Sequence, residues 1–236
     1  MNTIKPLMQN ISLIEERLGY TFKNKELLLL AFVHRSFFNE NREHVSEHNE
    51  RLEFLGDSVL GLLISDYLYE NLPSIDEGQL SYLRSRIVDA ASCAQYIQKL
   101  NVGEFVLLGR GEKMNDGKGR ETILADLFEA LVGAIYLDGK MDAAIKFFKN
   151  KIEHLLQLLI KEPGRNWKAD FQDYSQKKYQ RPPTYKVVEE SGPDHNKFFV
   201  VATLIGDQEF GKGQGSSKKQ AEQSAAEDAL SRIENG

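Results

Sequence analysis

The stretch NERLEFLGDSVLGLLI, residues 49–64, decides how the longer, N-terminal part of the chain is interpreted. Its acids Glu50, Glu53 and Asp57 follow i, i+3, i+7 spacing, which places them within a sector about 60° wide on one helix face. Apolar side chains occupy most of the remaining surface, and a helix that is apolar nearly all round is expected to be buried. Buried carboxylates need cations, and no Lys or Arg shares their sector.

A second segment of the same kind is ETILADLFEALVGAIYLDG, residues 121–139. Asp126 and Glu129 are i, i+3 neighbours on an otherwise apolar helix. Gly133 shares their face, as Gly61 does on the first helix, and we expect the missing side chains to leave room for an ion or a substrate backbone. Each acidic face, taken alone, is also compatible with a solvated surface or with acids that find separate basic partners.

Two acidic sectors on two apolar helices predict one shared site. All its donors are carboxylate oxygens, and the five histidines are scattered without zinc spacing. Hard oxygen donors favour Mg²⁺ or Mn²⁺. Mg²⁺ held by a few carboxylates keeps waters and takes phosphate oxygens. The pattern therefore indicates phosphoryl-transfer or phosphodiester chemistry, in which two ions about 4 Å apart activate a water and stabilise the leaving oxygen.

The composition is that of a globular protein. If the protein binds nucleic acid, its positive charge must be concentrated in one region. Hydrophobic residues make up 41% and charged residues 28% of 236 residues, which allows one large or two ordinary domains. Cys93 is the only cysteine, so we expect no internal disulfide and a reducing, cytoplasmic location. No secretory signal or membrane helix is expected. The net charge of −5 argues mildly against a nucleic-acid binder.

The sequence pattern predicts two parts, one mostly helical and one that contains both helices and strands. Residues 1–160 carry helix-length apolar patterns, at 10–18, 25–34, 49–71, 79–99, 121–137 and 141–160. Residues 161–167, which contain Pro163 and Gly164, are the predicted linker. Residues 168–236 carry ten Lys/Arg and eleven Asp/Glu, a net charge of −1. They predict a helix at 168–179 and strands at 184–191 and 197–205. A short third strand, EFGKG, follows, and then a last helix capped by Ser216 or Ser217.

NERLEFLGDSVL closely resembles the signature of the ribonuclease III family, and the spacing to EG in IDEGQLS and to the LADLFEAL helix also matches that family. The last part resembles a double-stranded-RNA-binding domain through FQDY, GPDH and GKGQGSSKKQAEQSAAEDAL. The resemblance implies a multidomain chain. An all-α ribonuclease III endonuclease domain is followed by an α-β-β-β-α double-stranded-RNA-binding domain.

The resemblance also implies roles for individual acids. It implies that Mg²⁺, for which Mn²⁺ can substitute, and the attacking water are held by Glu53, Asp57, Asp126 and Glu129. Glu50 and Glu77 match two further acidic positions, with supporting roles as outer ligands, in positioning the scissile phosphate or in product release. For Glu77 the alternative is a solvated loop or helix-cap acid beside Gly78.

The implied activity is the hydrolysis of double-stranded RNA by a homodimer that pairs through the signature helix, residues 49–64. Each subunit would cut one strand, leaving a 5′-phosphate, a 3′-hydroxyl and a short 3′ overhang. Ribosomal RNA precursors are the implied substrate, followed by messenger and small RNAs. Phe54 and Leu55 are candidate dimer anchors, or ordinary core residues.

The RNA-binding domain is expected to read A-form shape over about 16 base pairs. Lys218 and Lys219 lie in the first turn of the last helix, where positive charge is unfavourable for the helix dipole but suits a phosphate. The full set of predicted RNA-binding residues is Gln172, Gln176, Pro193, His195, Lys212, Lys218 and Lys219. The Gly-rich loop 109–121 lacks the ending of a nucleotide-binding loop. Its cations either contact the RNA backbone or are solvated: Lys113, Lys118 and Arg120.

Two other functions compete. A non-catalytic RNA-binding protein on the same scaffold is disfavoured because the acids are intact at all expected positions. A carboxylate-bridged metal oxidase bundle would need Glu-x-x-His pairs, and the sequence has none.

Overall fold

The structure, a computed structural model, describes residues 4–114, 119–161, 166–192 and 197–234. The chain divides into two compact units, Met1–Pro163 and Gly164–Gly236. The first is helical and the second has the order α-β-β-β-α, as the sequence predicts.

Over its described residues the first unit contains ten α-helices and a short 3-10 helix, Gly103–Phe105. The helices are α1 (Lys5–Gln9), α2 (Ile11–Leu18), α3 (Lys25–Ala31), α4 (Arg35–Glu40), α5 (Glu50–Asn71), α6 (Glu77–Ile87), α7 (Ala90–Leu100), α8 (Arg110–Met114), α9 (Arg120–Lys151) and α10 (Glu153–Lys161). The single helix predicted over 79–99 is wrong. The helix α6 ends at Ile87, and Asp89 caps a new helix, α7, because its Oδ1 accepts a hydrogen bond from the Ser92 amide at 2.8 Å.

The helices α5 and α9 cross with their backbones in contact. A Cβ atom at Gly56 would lie 1.7 Å from the carbonyl oxygen of Glu129, and one at Gly133 would lie 2.2 Å from the carbonyl oxygen of Leu52. Neither position therefore accepts a side chain. The expectation that Gly133 leaves room for an ion is wrong, because the Leu52 carbonyl fills that space. Gly61 does not face α9 in this way, and nothing lies within 4 Å of its would-be Cβ.

The core of the first unit surrounds α9. Leu127, Phe128, Leu131 and Ile135 are all fully buried, as expected for a helix that is apolar on nearly every side. The helix kinks at Lys140, whose φ of 59° and ψ of −162° are not helical. The kink separates the two patterns predicted at 121–137 and 141–160. The second is not one helix, because α9 ends at Lys151 and α10 begins at Glu153.

The second unit is an antiparallel sheet with two helices. Its elements are α11 (Trp167–Tyr179), β1 (Thr184–Ser191), β2 (Phe198–Ile205), β3 (Gln208–Gly215) and α12 (Lys218–Glu234). The strand order is β1-β2-β3, and Gly206 turns between β2 and β3 with a φ of +61°. The third strand is longer than the predicted EFGKG. The Ser217 hydroxyl caps α12, accepting from the Gln220 amide at 3.2 Å.

Alternate glycines of β3 bring α12 directly onto the sheet. A Cβ atom at Gly213 would lie 2.0 Å from the amide nitrogen of Ala225, and Gly211 and Gly215 are similarly close to the helix. Ala221 and Ala225, on the facing side of α12, are fully buried. Because only glycine and alanine fit here, the position of α12 and of its N-terminal lysines is set by this contact.

Candidate active site

The crossing of α5 and α9 brings four carboxylates close together. Glu53 and Asp57 flank Gly56 on α5, while Asp126 and Glu129 lie on α9 one to two turns before Gly133. We call these four residues the acid cluster: Glu53, Asp57, Asp126 and Glu129. The structure therefore juxtaposes the two acidic faces that the sequence shows separately.

The carboxylates of the acid cluster interact electrostatically across the two helices. Burial, followed by the charges of Asp126, Glu50 and Asp57, raises the pKa of Glu53 to about 7. Burial, followed by the charges of Asp57, Glu53 and Asp126, raises the pKa of Glu129 to about 7. Burial is also the main reason why the pKa of Asp126 is raised. Packing forces these carboxylates together against their mutual repulsion.

The acid cluster is a fitting but incomplete set of ligands for a metal ion. Among the residues that the structure describes, no Lys or Arg forms an ion pair with it. Its hard oxygen donors and its surplus negative charge suit a divalent cation such as Mg²⁺. Within the same described ranges, no three His, Cys, Asp or Glu side chains already have metal-binding geometry.

Glu50 lies beside the acid cluster and has two basic residues, Arg35 and His48, as neighbours. Its Oε1 is 3.5 Å from Arg35 Nη1, and its Oε2 is 3.8 Å from His48 Nδ1. The acidic sector of α5 contains no Lys or Arg of its own, and Glu50 obtains its guanidinium neighbour from another helix. Arg35 belongs to α4, and no periodicity within residues 49–64 indicates this contact.

His34 is a residue of this region that sequence reasoning missed. It caps α4, and its Nδ1 accepts from the Ser36 amide at 3.2 Å. The Ser36 hydroxyl accepts from the Gly109 amide, so it can donate its proton to the same Nδ1. Burial lowers the pKa of His34 although the charges of Glu112, Asp126 and Glu50 act to raise it. The neutral ring then carries its proton on Nε2.

Glu77 is not joined to the other acids within one chain. It is the first residue of α6, it is exposed, and its Oε1 accepts from the Ser81 hydroxyl at 2.9 Å. No charge interaction found for the acid cluster involves it.

The second unit presents part of the predicted RNA-binding set. Gln172 and Gln176 are exposed on α11. Lys218 and Lys219 occupy the first turn of α12, where Lys218 Nζ lies 5.7 Å from the centre of the Phe199 ring. The remaining loop residues, Pro193 and His195, lie outside the described residues, as does Lys118 of the Gly-rich loop.

Lys212 lies apart from the two lysines of α12. It belongs to β3, its Nζ is 3.4 Å from Glu209 Oε2, and its amide donates to Asp228 Oδ2 at 2.8 Å. Asp228 is ten residues further along α12 than Lys218. The structure therefore does not join Lys212 to the lysines at the start of that helix.

Comparison with known proteins identifies the family. Residues 24–156 match the family described as Ribonuclease-III-like, and residues 167–233 match the double-stranded RNA binding motif. The chain belongs to the ribonuclease III family. Ribonuclease 3 of Protochlamydia amoebophila is 62% identical over 235 residues, which cover 99% of this chain and 96% of that protein. Ribonuclease 3 of Borreliella burgdorferi is 45% identical, covering 93% and 90%.

A solved structure gives the same assignment for the first unit. The nuclease domain of ribonuclease III from Campylobacter jejuni is 41% identical and superposes with a TM-score of 0.56, covering 61% of this chain and 97% of that one. The protein is an endoribonuclease specific for double-stranded RNA. Over the described ranges, no helix has the length and apolarity needed to span a membrane.

The raised pKa values predict how the stability of the metal-free enzyme depends on pH. A carboxyl group whose pKa rises from 4.5 to about 7 on folding binds its proton more tightly in the folded state. Its stabilising contribution is complete below 4.5 and is lost as the pH passes through about 7. We expect Glu129→Gln to raise the melting temperature relative to the wild type at about pH 8, and to raise it less at about pH 5.

Thermal unfolding in the presence of a chelator measures this difference. Asp142→Asn is the matched control, because Asp142 is an exposed carboxylate on the same helix beyond the kink. The melting temperature of Asp142→Asn is expected to equal that of the wild type at both pH values. If the melting temperature of Glu129→Gln differs from that of the wild type by the same amount at about pH 5 and about pH 8, the assignment of mutual repulsion in the acid cluster is contradicted.

Proposed function

We propose that the enzyme hydrolyses the phosphodiester bonds of double-stranded RNA with divalent metal ions held by Glu53, Asp57, Asp126 and Glu129. The supporting observation is the mutual repulsion of these carboxylates, which lie on two crossing helices and form no ion pair with a Lys or Arg among the described residues. Mg²⁺ is the proposed ion, and Mn²⁺ can replace it, because both prefer oxygen ligands.

When bound, the metal ions supply an activated water and stabilise the leaving oxygen. The chain's own residues do the rest. Glu53 and Glu129, whose pKa values burial and neighbouring charges raise to about 7 without metal, would serve as ligands in their deprotonated form. Glu50 and its neighbour Arg35 lie at the edge of the acid cluster, where they would orient the scissile phosphate. Glu77 is proposed to act in a supporting role. The proposed products carry a 5′-phosphate, a 3′-hydroxyl and a short 3′ overhang.

We also propose a homodimer through the signature helix, residues 49–64. Phe54 is 78% exposed and Leu62 is 55% exposed in the single chain, and at eight residues apart they share one face of α5. Tyr69 extends the same stripe and is 76% exposed. Exposed apolar stripes of this kind mark interfaces. The relative from Campylobacter jejuni has a region involved in dimer formation. Leu55, in contrast, packs partly against the core.

The second unit is proposed to hold the duplex by its shape. Lys218 and Lys219 would contact phosphates at the start of α12, where backbone amides also point outward. Gln172 and Gln176 would exchange hydrogen bonds with 2′-hydroxyl groups and base edges. Pro193 and His195 are proposed to enter a minor groove, and Lys212 to contact the backbone separately. Ribosomal RNA precursors are the proposed substrates, followed by messenger and small RNAs, in the cytoplasm.

Glu129→Gln is the direct test of the catalytic assignment. The amide keeps the size of the side chain but removes a negative ligand, so we expect cleavage of a plain RNA duplex in Mg²⁺ to fall by a factor of about 10² or more. Gel-shift binding of the same duplex is expected to be unchanged. Asp142→Asn should cut at the wild-type rate, and wild-type cleavage by Glu129→Gln would show that the metal assignment is wrong.

The lysines of α12 are tested through the dependence of binding on salt. Replacing both Lys218 and Lys219 by Ala is expected to weaken duplex binding and to lower the slope of log K against log salt by up to about 1.8, because each phosphate contact contributes about 0.9. Arg232→Ala is the control, since Arg232 lies at the far end of α12 and pairs with Asp228. An unchanged slope in the double variant would remove these lysines from the phosphate contacts.

The dimer is tested with Phe54→Glu. A charge at the centre of an apolar interface is strongly unfavourable, so sedimentation at micromolar concentration should show a shift from dimer to monomer. Leu137→Glu, which places a charge at an exposed apolar position of α9, should sediment like the wild type. A dimer that persists in Phe54→Glu with wild-type affinity would exclude this face as the interface.

A further inference from the structure

Asn49 occupies an unusual position directly before the signature helix. It is 2% exposed, and it is the one polar residue buried in the described part of the first unit. Asparagine before a helix normally accepts a hydrogen bond from the first turn. The side chain of Asn49 makes no such bond. Its Nδ2 donates instead to the carbonyl oxygen of Ala31 at 3.2 Å.

The backbone of Asn49 strengthens the same attachment. Its amide donates to the carbonyl oxygen of Val33 at 2.9 Å. The start of α5 is therefore bound twice, to the last residue of α3 and to the segment that connects α3 with α4. That segment is itself held from the other side, because the amide of Leu107 donates to the Phe32 carbonyl and the amide of His34 donates to the Leu107 carbonyl.

The hydrogen bonds of Asn49 restrict the orientation of α5 beyond what the contact at the glycines achieves. The contacts at Leu52 and Gly56 fix where α5 meets α9, but they span only the stretch of about one turn that lies between these two residues. Asn49 lies seven residues before Gly56, about 10 Å along the helix, and gives a second anchor. The amide of Glu53 donates to the carbonyl oxygen of Asn49 at 2.9 Å, so the anchored residue also sets the backbone of an acid-cluster member.

The same connecting segment also faces the acidic face of α9. His34 belongs to it, and the charge of Asp126 acts on the His34 ring. Glu53 and Asp126, on two different helices, are thus both positioned relative to one short segment of chain.

We propose that Asn49 is a positioning residue of the acid cluster. Its buried amide holds the first turn of α5 so that Glu53 and Asp57 face Asp126 and Glu129 in a geometry that a divalent ion can complete. Asn49 does not touch the substrate or the reacting atoms. This inference rests on the proposed metal site, and it assigns the side-chain hydrogen bond to Ala31 a role in metal affinity beyond its contribution to stability.

The test uses the full-length enzyme and Mn²⁺ alone, without RNA, with free Mn²⁺ measured by electron paramagnetic resonance. We expect Asn49→Ala to weaken Mn²⁺ binding by about tenfold, as for other residues that orient metal ligands. Asn24→Ala is the matched control. Asn24 caps α3 through the Glu26 amide, so its loss lowers stability without disturbing the acid cluster, and its Mn²⁺ affinity should equal that of the wild type.

Steady-state cleavage gives a second readout. Asn49→Ala is expected to lower kcat, with part of the loss restored by raising the Mg²⁺ concentration, and to leave KM for the duplex unchanged, because the second unit still binds it. If circular dichroism shows that Asn49→Ala is unfolded, Asn49→Leu takes its place, since leucine keeps the volume of the side chain but cannot donate to Ala31.

The outcomes separate the two proposals. Wild-type Mn²⁺ affinity in a folded Asn49 variant would overturn the positioning role while leaving the metal site intact. Wild-type Mn²⁺ affinity in Glu129→Gln would overturn the metal site itself, and the role of Asn49 with it. An equal loss of affinity in Asn24→Ala and Asn49→Ala would show that stability alone governs the site, which also overturns the inference.

Discussion

The contact between the backbones of α5 and α9 at Gly56 and Gly133 is the constraint on which the first unit depends. A Cβ atom at either position would overlap a carbonyl group of the other helix, so the closest approach of the two helices is available only to glycine. This approach places the acidic residues of both helices around one point. Burying like charges together costs free energy, and the apolar packing around α9 supplies the opposing contribution that keeps them there.

The second unit uses the same physical device for a different purpose. Its glycines on β3 and alanines on α12 bring a helix onto a strand with almost no side chain between them. In the first unit close contact gathers negative charge that a cation can neutralise. In the second unit the close contact fixes the orientation of the first turn of α12, which carries Lys218 and Lys219. A chain with a net charge of −5 can still present positive charge to a polyanion, because Lys218 and Lys219 concentrate that charge at one end of α12.

Several expectations from the sequence were incorrect for reasons of tertiary structure. Gly133 and Gly61 share a helix face with acids, and the pattern alone suggested space for a ligand. In the folded chain this space is present beside Gly61 but not beside Gly133, where a carbonyl of the opposing helix occupies it. The guanidinium beside Glu50 comes from Arg35 of α4, and the periodicity of α5 contains no information about this contact. The continuous pattern over 79–99 concealed the cap formed by Asp89.

The sequence by itself determined the helical and mixed character of the two units, the strands of the second, and which carboxylates lie on which helix face, because periodicity and capping are local properties of the chain. It also carried the family signature. Tertiary structure alone decided that the two acidic faces meet, that Arg35 and His34 lie beside them, and that Asn49 uses its amide to anchor α5. These features depend on distances between segments far apart in the chain, and such distances are set by packing at glycines and by buried hydrogen bonds rather than by any local pattern.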